Sequence, residues 1–479
     1  MTRRAVGLLL LAAVCRAQHV QFGSLVNGTP VANPAMDSQG NLIQLTINPI
    51  TGICCGMGSR LALLVNRYGR DGSARILADT GLTPAEAPVF LAVDARDKAY
   101  VGANREGEPI LLRIKPDGTR EQRMLFVPFT RLAAMAFASD GDPVIVGSDF
   151  GPTIQVVRLD ADTLAPVAAK LLNRGVGVPR AIAVDTAGNV YITGVSTGFE
   201  FDATPGALQP VGSGVFVTKL SPDLQSVVYS THITDKGVSG GMAIQAASDG
   251  TVYVAGYVLG GAGEGAFPTT PGAFQRQLDR EPRLWLTNGG LPLVVGPSTG
   301  FVLRLNSEGS ALIASTLLGG SLSESIDGLA LDEQGRVIVH GSAQSRDFPA
   351  TGVFSTPCGP DRGRAFRAWF LTRLDPMLER VERSILVSGV VSRGLPSGSL
   401  RGSVFLILSG SRALADLDRD EPSDVACVTS GASYEGLSAL TPGQLVTVIG
   451  RGLGPAQLAA FEDGKPLPDT VDGAEVLFN

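Results

Sequence analysis

The chain has 479 residues, 44% of them hydrophobic, with 60 glycines, 30 prolines and a formal net charge of -6. That apolar content supports a packed core and argues against global disorder. The abundance of glycine and proline favours many short strands joined by tight turns over long helices. The acidic balance, with no Lys/Arg run of useful length, argues against nucleic acid as a partner, because phosphate neutralisation drives that affinity.

The N-terminus reads as a secretory signal. Arg3 and Arg4 form a positive start, and Ala5 to Val14 is an apolar run too short to span a bilayer. Cys15 and Ala17 place small residues at the −3 and −1 positions, so cleavage is expected after Ala17 and 1–17 is the signal segment. Lipidation of Cys15 fits less well because Val14 precedes it, and Arg3-Arg4 lacks the rest of a twin-arginine pattern. No later segment reaches the roughly 18 unbroken apolar residues of a membrane span.

From there the chain repeats itself, and repeats outrank other signals. One unit is an apolar residue and an Asp, a turn with Gly, then an alternating strand ending in Gly. A degraded copy covers Met36 to Asn41, and others start at Ala92-Val93-Asp94 and Ala136-Phe137-Ala138. The clearest copies are Ala183 to Gly194, Ala246 to Gly256 and Ala330 to Gly341, with a much weaker one at Ser399 to Leu406. Glycine or Asn supplies the positive φ of a tight turn, and the β-branched and aromatic run that follows favours a strand.

A second unit, two apolar residues, a variable position, a basic residue and an apolar residue, follows each first one. Copies are Leu63 to Asn66 (degraded), Leu111 to Ile114, Val156 to Leu159, Phe216 to Leu220, Phe301 to Leu305 and Phe370 to Leu374. Each leads through a polar turn into another strand. Two hairpins per repeat make a four-stranded sheet, which cannot bury both faces alone; radial stacking of such sheets gives a β-propeller. Insertions near 198–214, 257–300 and 342–368 stretch the later repeats. The expectation is an all-β propeller over 18–424 with seven blades, six being the alternative, and with a strand at His19 to Val26 completing the last half-blade.

The stretch Asp185 to Gly194, followed by Phe201-Asp202-Ala203-Thr204-Pro205-Gly206-Ala207-Leu208-Gln209, resembles the SBBP-type bacterial β-propeller repeat. Phe267-Pro268-Thr269-Thr270-Pro271-Gly272-Ala273-Phe274-Gln275 is a second instance, and Asp347 to Thr351 a partial one. The resemblance is specific over 180–375, falls to half-motifs over 35–175 and nearly vanishes beyond 380. It implies a propeller in an exported protein and no defined activity.

From about Val425 the pattern changes. Ala432-Ser433-Tyr434, Leu440 to Gly450 and Gly452-Leu453-Gly454-Pro455 resemble the start of an immunoglobulin-like domain of secreted acidobacterial proteins. Such a sandwich needs about 100 residues, so 425–479 is expected to be an incomplete, partly sandwich-like segment.

Candidate chemistry is sparse. Past the signal, Cys54, Cys55, Cys358 and Cys427 remain, an even number in an exported chain, which permits disulfides. The adjacent pair rarely bonds to itself, and either member could pair with Cys358 or Cys427. Gly194-Val195-Ser196-Thr197-Gly198 matches a nucleophile elbow in letters only, because no helix follows. His19, His232 and His340 are the only histidines, too few for a His-based triad or a multi-His metal site. Asp416, Asp418 and Asp420 alternate as calcium ligands do, but Glu421 stands where the loop needs Gly; a solvated acidic linker is the plainer reading. Ser248 to Tyr253 approaches a sialidase-like Asp box without completing it. Trp285, in the longest insertion, and Tyr257 are the candidate ligand-binding aromatics.

Asp94, Asp185 and Asp332 recur at one repeat position. They either cap their turns or line a central mouth. The functional expectation is therefore a secreted, non-catalytic propeller that binds an extracellular protein or carbohydrate and calls for no cofactor. The alternative is a polysaccharide lyase or hydrolase with its site at the propeller mouth.

Overall fold

A computed structural model describes residues 20–451 with breaks, the longest at 51–59, 197–202, 260–266, 278–283, 352–367, 389–402, 417–423 and 431–445. The strands at 20–23, 29–30, 284–286 and 292–294, and all those beyond 402, are described by their backbone alone. The N-terminal strand is β1 (Val20–Gly23). Blade 1 contains β2 (Thr29–Pro30), β3 (Ala35–Met36), β4 (Leu42–Ile50), β5 (Arg60–Tyr68) and β6 (Ala74–Asp79). Blade 2 is β7 (Pro88–Val93), β8 (Ala99–Arg105), β9 (Glu108–Ile114) and β10 (Arg120–Met124). Blade 3 is β11 (Arg131–Phe137), β12 (Pro143–Ser148), β13 (Ile154–Leu159) and β14 (Pro166–Leu172). Blade 4 is β15 (Gly177–Val184), β16 (Val190–Ser196), β17 (Gly214–Leu220) and β18 (Val227–His232).

Blade 5 is β19 (Val238–Ala246), β20 (Val252–Leu259), β23 (Ser298–Leu305) and β24 (Leu312–Leu318), with the hairpin β21 (Leu284–Leu286) and β22 (Pro292–Val294) inserted between its middle strands. Blade 6 is β25 (Glu324–Leu331), β26 (Val337–Ala343), β27 (Ala368–Leu374) and β28 (Val381–Ser388). Each blade is an antiparallel meander, as the two-hairpin repeat requires.

The same first-turn bond recurs in all six blades and shows why the repeat folds as it does. In blade 4, Asp185 and Asn189 close the first turn through Asp185 N donating to Asn189 O at 3.0 Å. Gly188 sits there at φ 85°, a conformation that only glycine adopts without strain. The strand that follows, Val-Tyr-Ile-Thr-Gly, is buried from residue to residue because both faces are covered by neighbouring blades.

The core lies between consecutive blades. Ile43, Leu45 and Val65 meet Leu91, Val101 and Leu112. Tyr100 and Leu111 meet Ile145 and Val157. Val146 and Val156 meet Ile192 and Phe216, and Tyr191 and Val217 meet Val254 and Leu303. Tyr253 and Val302 meet Val339 and Phe370. Each fully buried side chain of this size contributes about 1.5–3 kcal/mol, and none of them can do so within a single blade.

The expected count of seven blades is corrected to six. Beyond blade 6, among the described residues, β29 (Ser403–Leu408) and β30 (Ser411–Asp416) form a hairpin that is not built up to a four-stranded blade. That hairpin forms a three-stranded sheet with β1, in the register Val20 opposite Ala415. The N-terminal strand thus does pair with a strand beyond blade 6, described over Val20–Gly23.

Of 425–479, the described part is the antiparallel pair β31 (Asp424–Ser430) and β32 (Val446–Arg451). The expected signal segment 1–17 lies outside the described residues, as do Cys54, Cys55, Cys358, Asp418 and Asp420. No helix among the described residues is long and apolar enough to cross a membrane.

Candidate functional site

In a meander that runs outward from the axis, the first and third turns lie at one end of the blade and the middle loop at the other. The inner strands are β7, β11, β15, β19 and β25, since these pack against their neighbours' first strands. The two ends of the propeller differ in chemistry.

The turn end is committed to structure. Asp94 Oδ1 accepts from Arg96 N at 3.0 Å and Lys98 N at 2.8 Å. Asp185 Oδ1 accepts from Asn189 N at 2.8 Å, and Asp332 Oδ1 from Gln334 N at 3.0 Å and Arg336 N at 2.8 Å. The degraded copy does the same, with Asp37 Oδ1 accepting from Asn41 N at 2.8 Å. The recurrent acids are turn caps.

The recurrent basic residue of the third strand serves the same end. Arg304 Nη2 lies 2.6 Å from Asp249, Arg67 Nη2 lies 2.6 Å from Asp37, and Arg158 Nε lies 2.9 Å from Asp142. Several reach the next blade: Arg113 donates to Asp162 O at 2.8 Å and Arg158 to Pro222 O at 3.2 Å. Tyr191 Oη donates to Asp185 at 3.0 Å and Tyr100 Oη to Asp94 at 3.2 Å. Burial, reinforced by the neighbouring Asp94 charge, pushes the Tyr100 hydroxyl up to about 12, so it is a donor and not a base.

The opposite end carries the long middle loops of blades 4, 5 and 6 and is the candidate binding end. Tyr257 stands near the end of β20, half-buried. Its ring overlies the inner strand so closely that a Cβ at Gly240 would lie 3.0 Å from it. Trp285 is the middle residue of β21, opposite Leu293. Its indole lies outside what is described, so Tyr257 and Trp285 share one excursion of the chain without a described contact. Asp416 ends β30 opposite Ser403, and Cys427 sits in β31 opposite Ile449; their side chains also lie outside the described set. Among the described residues no group of His, Cys, Asp and Glu could hold a metal ion.

Ser196, the centre of the elbow-like motif, is buried at the end of β16, opposite Gly214 of β17. Gly194 is there because a Cβ would lie 2.1 Å from Val178 O on the inner strand. His232 is wholly buried in β18. His340, in β26, is 2% exposed, and burial holds its imidazole down to about 3, so it is neutral.

One feature of this end has a sequence signal that motif reading passes over. Every inner strand of blades 2 to 6 carries a bulge, which leaves Val89, Ala133, Arg180, Met242 and Asp327 out of register. Each stands five residues before the turn residue Asp94, Ala138, Asp185, Ala247 or Asp332. The constant spacing marks a position that bends the strand nearest the axis. Arg180 is exposed, and Met242 and Asp327 are half-buried.

The Thr-Pro-Gly segments have a structural role. Thr204 N donates to Ser230 O at 2.9 Å, and Ser230 N donates to Thr204 Oγ1 at 3.0 Å. His232 N donates to Gln209 O at 3.1 Å. Blade 5 repeats this with Thr270 and Ser315, and blade 6 with Thr351 and Ser384. The segment covers the outer edge strand, whose main-chain groups would otherwise be open to pairing. It also ties the blade to the next one, through Leu208 N to Gly309 O at 3.1 Å and Phe274 N to Leu378 O at 2.9 Å.

A family profile described as SBBP, beta-propeller repeat, matches residues 175–202, the first hairpin of blade 4. No curated protein matches the sequence. Among solved structures, a catalytically inactive virginiamycin B lyase from Staphylococcus aureus with quinupristin is similar at 9% identity and a TM-score of 0.48, over 82% of this chain and 98% of that one. A streptogramin B lyase follows at 9% identity and 0.45, over 82% and 96%. A chain of a mitotic checkpoint complex gives 7% and 0.45, over 86% and 94%. Likenesses this distant carry no functional argument. The fold and the matched repeat define the class: a β-propeller of four-stranded blades carrying an SBBP-type repeat.

Proposed function

We propose that the chain is a secreted, non-catalytic binding or scaffold propeller whose ligand-contacting surface is the loop end of blades 4 to 6. The observation that carries this reading is the division of labour between the two ends. The recurrent acids and bases are consumed in turn caps and ties between blades, and the histidines in the strands are buried. The long insertions, by contrast, leave from the end where Tyr257 and the hairpin bearing Trp285 stand. A rigid frame with variable loops at one end is the usual way a repeat fold presents a binding surface. The ligand class is an extracellular carbohydrate or protein, and aromatic side chains on the blade 5 excursion are its anchors.

A glycan array probed with the full chain, with and without calcium, tests this. The expected result is binding to one sugar class that is lost in Trp285→Ala at unchanged thermal stability. Release of cleaved or unsaturated sugar products would overturn the non-catalytic part, and binding that survives Trp285→Ala would move the surface away from the insertion. With no glycan bound, the same variant is carried into a search for protein partners.

A further inference from the structure

The outer edges of the six blades are not protected alike. Those of blades 4, 5 and 6 are covered by the chain's own Thr-containing segments. The edge of blade 2, β10, is Arg-Glu-Gln-Arg-Met, and that of blade 1, β6, carries Arg75 and Asp79; charge deters pairing at both. Blade 3 has neither device. Its edge strand β14 reads Pro-Val-Ala-Ala-Lys-Leu-Leu, with Val167 57% and Leu171 52% exposed and Ala169 exposed between them. The one charge, Lys170, points to the other face, where its Nζ donates to Gln225 O at 2.6 Å.

Pairing register shows which main-chain groups are open. Ala169 lies opposite Val157, the residue before the basic Arg158, just as Ser230 lies opposite Thr218 before Lys219. At Ser230 both main-chain groups point away from the blade, into Thr204, and His232 N points the same way, into Gln209. Ala169 and Leu171 are their equivalents, and Val167 stands at the register shift before them, as Val228 does in blade 4. Among the described residues no main-chain bond reaches these three from outside the blade.

We propose that β14 is an interface for a second copy of this chain, pairing antiparallel with its own equivalent about a twofold axis at Ala169. The strand is self-complementary in that register. Val167 falls opposite Leu171 of the other copy in both halves, Ala169 falls opposite itself, and Lys170 falls opposite Ala168, so no like charges stand directly opposite, and each Lys170 is held to its own Gln225 O. Such isologous edge pairing closes on itself and does not propagate into fibres. Ala169 paired with itself supplies two main-chain hydrogen bonds, and each flanking Leu171–Val167 position supplies at most two more, fewer where the bulge at Val167 turns a group aside. The apolar side chains form cross-strand pairs, the unit from which sheets draw their stability.

Sedimentation velocity of the full chain over a wide concentration range is the test. Wild type is expected to shift from monomer to dimer as concentration rises. The double variant Val167→Lys, Leu171→Lys is expected to weaken association at least about tenfold, and Ala169→Pro to do the same by removing the central donors, an exchange that an edge strand tolerates. Val228→Lys alters a residue of similar exposure, 49%, on the covered edge of blade 4, and is expected to associate as wild type does. A wild type that stays monomeric at every concentration overturns the proposal. So does a dimer that survives both β14 changes, or one that Val228→Lys dissociates equally.

Discussion

Gly328→Ala is a one-atom test of how blade 6 is packed. Gly328 lies opposite His340 in the β25–β26 ladder, and a Cβ there would stand 2.0 Å from His340 Nε2 and 2.6 Å from Cδ2. The imidazole also stacks on Trp369, with ring centroids 5.9 Å apart and planes at 21°, which restricts its retreat. Overpacking of this kind costs about 1–3 kcal/mol. Blade 4 holds the same ladder position with Ala181 opposite Thr193, and blade 5 with Ala243 opposite Ala255. The bulky histidine is therefore matched to the missing side chain. Gly328→Ala should destabilise by about 1–3 kcal/mol in the wild type and by much less when combined with His340→Thr, which rebuilds the blade 4 pair. Denaturant unfolding of the four proteins closes the cycle. An equal penalty for Gly328→Ala in both backgrounds would refute the reasoning.

The same histidine makes stability depend on pH. Its folded value is held at about 3, below the 6.5 of an exposed imidazole. Between those values the unfolded chain takes up a proton that the native one refuses, so this contribution is complete above pH 6.5 and falls by about 1.4 kcal/mol per unit as pH drops towards 3. The wild-type curve should bend downward there relative to His340→Thr, and parallel curves would contradict it. Asp332→Ala removes acceptors from Gln334 N and Arg336 N and should lower stability by about 1–3 kcal/mol while leaving ligand binding unchanged; altered binding would reopen a site at the turn end. Thr270→Val, which deletes the acceptor of Ser315 N, should cost about 1 kcal/mol and speed amide exchange along β24, and unchanged exchange there would deny the edge-covering role.

Local chemistry was legible in the sequence. A Gly-bearing turn after an Asp, an alternating strand and a basic residue before an apolar one each work within a few residues, so the hairpins, the four-stranded unit and the propeller class follow from the letters alone. The choice between capping and catalysis for Asp94, Asp185 and Asp332 needed only the nearest backbone amides, and the short range of that contact is why the repeat already hinted at it. What the letters do not carry is pairing between distant segments. Six blades, not seven, depend on how many hairpins complete a sheet at the chain's far end, where Val20 meets Ala415. The use of Thr204, Thr270 and Thr351 as covers for an edge strand, the exposed edge left on β14, and the fit of His340 against Gly328 all arise when strands remote in sequence are brought within hydrogen-bond or van der Waals distance. Those contacts depend on shape and register in three dimensions, which one-dimensional periodicity does not encode.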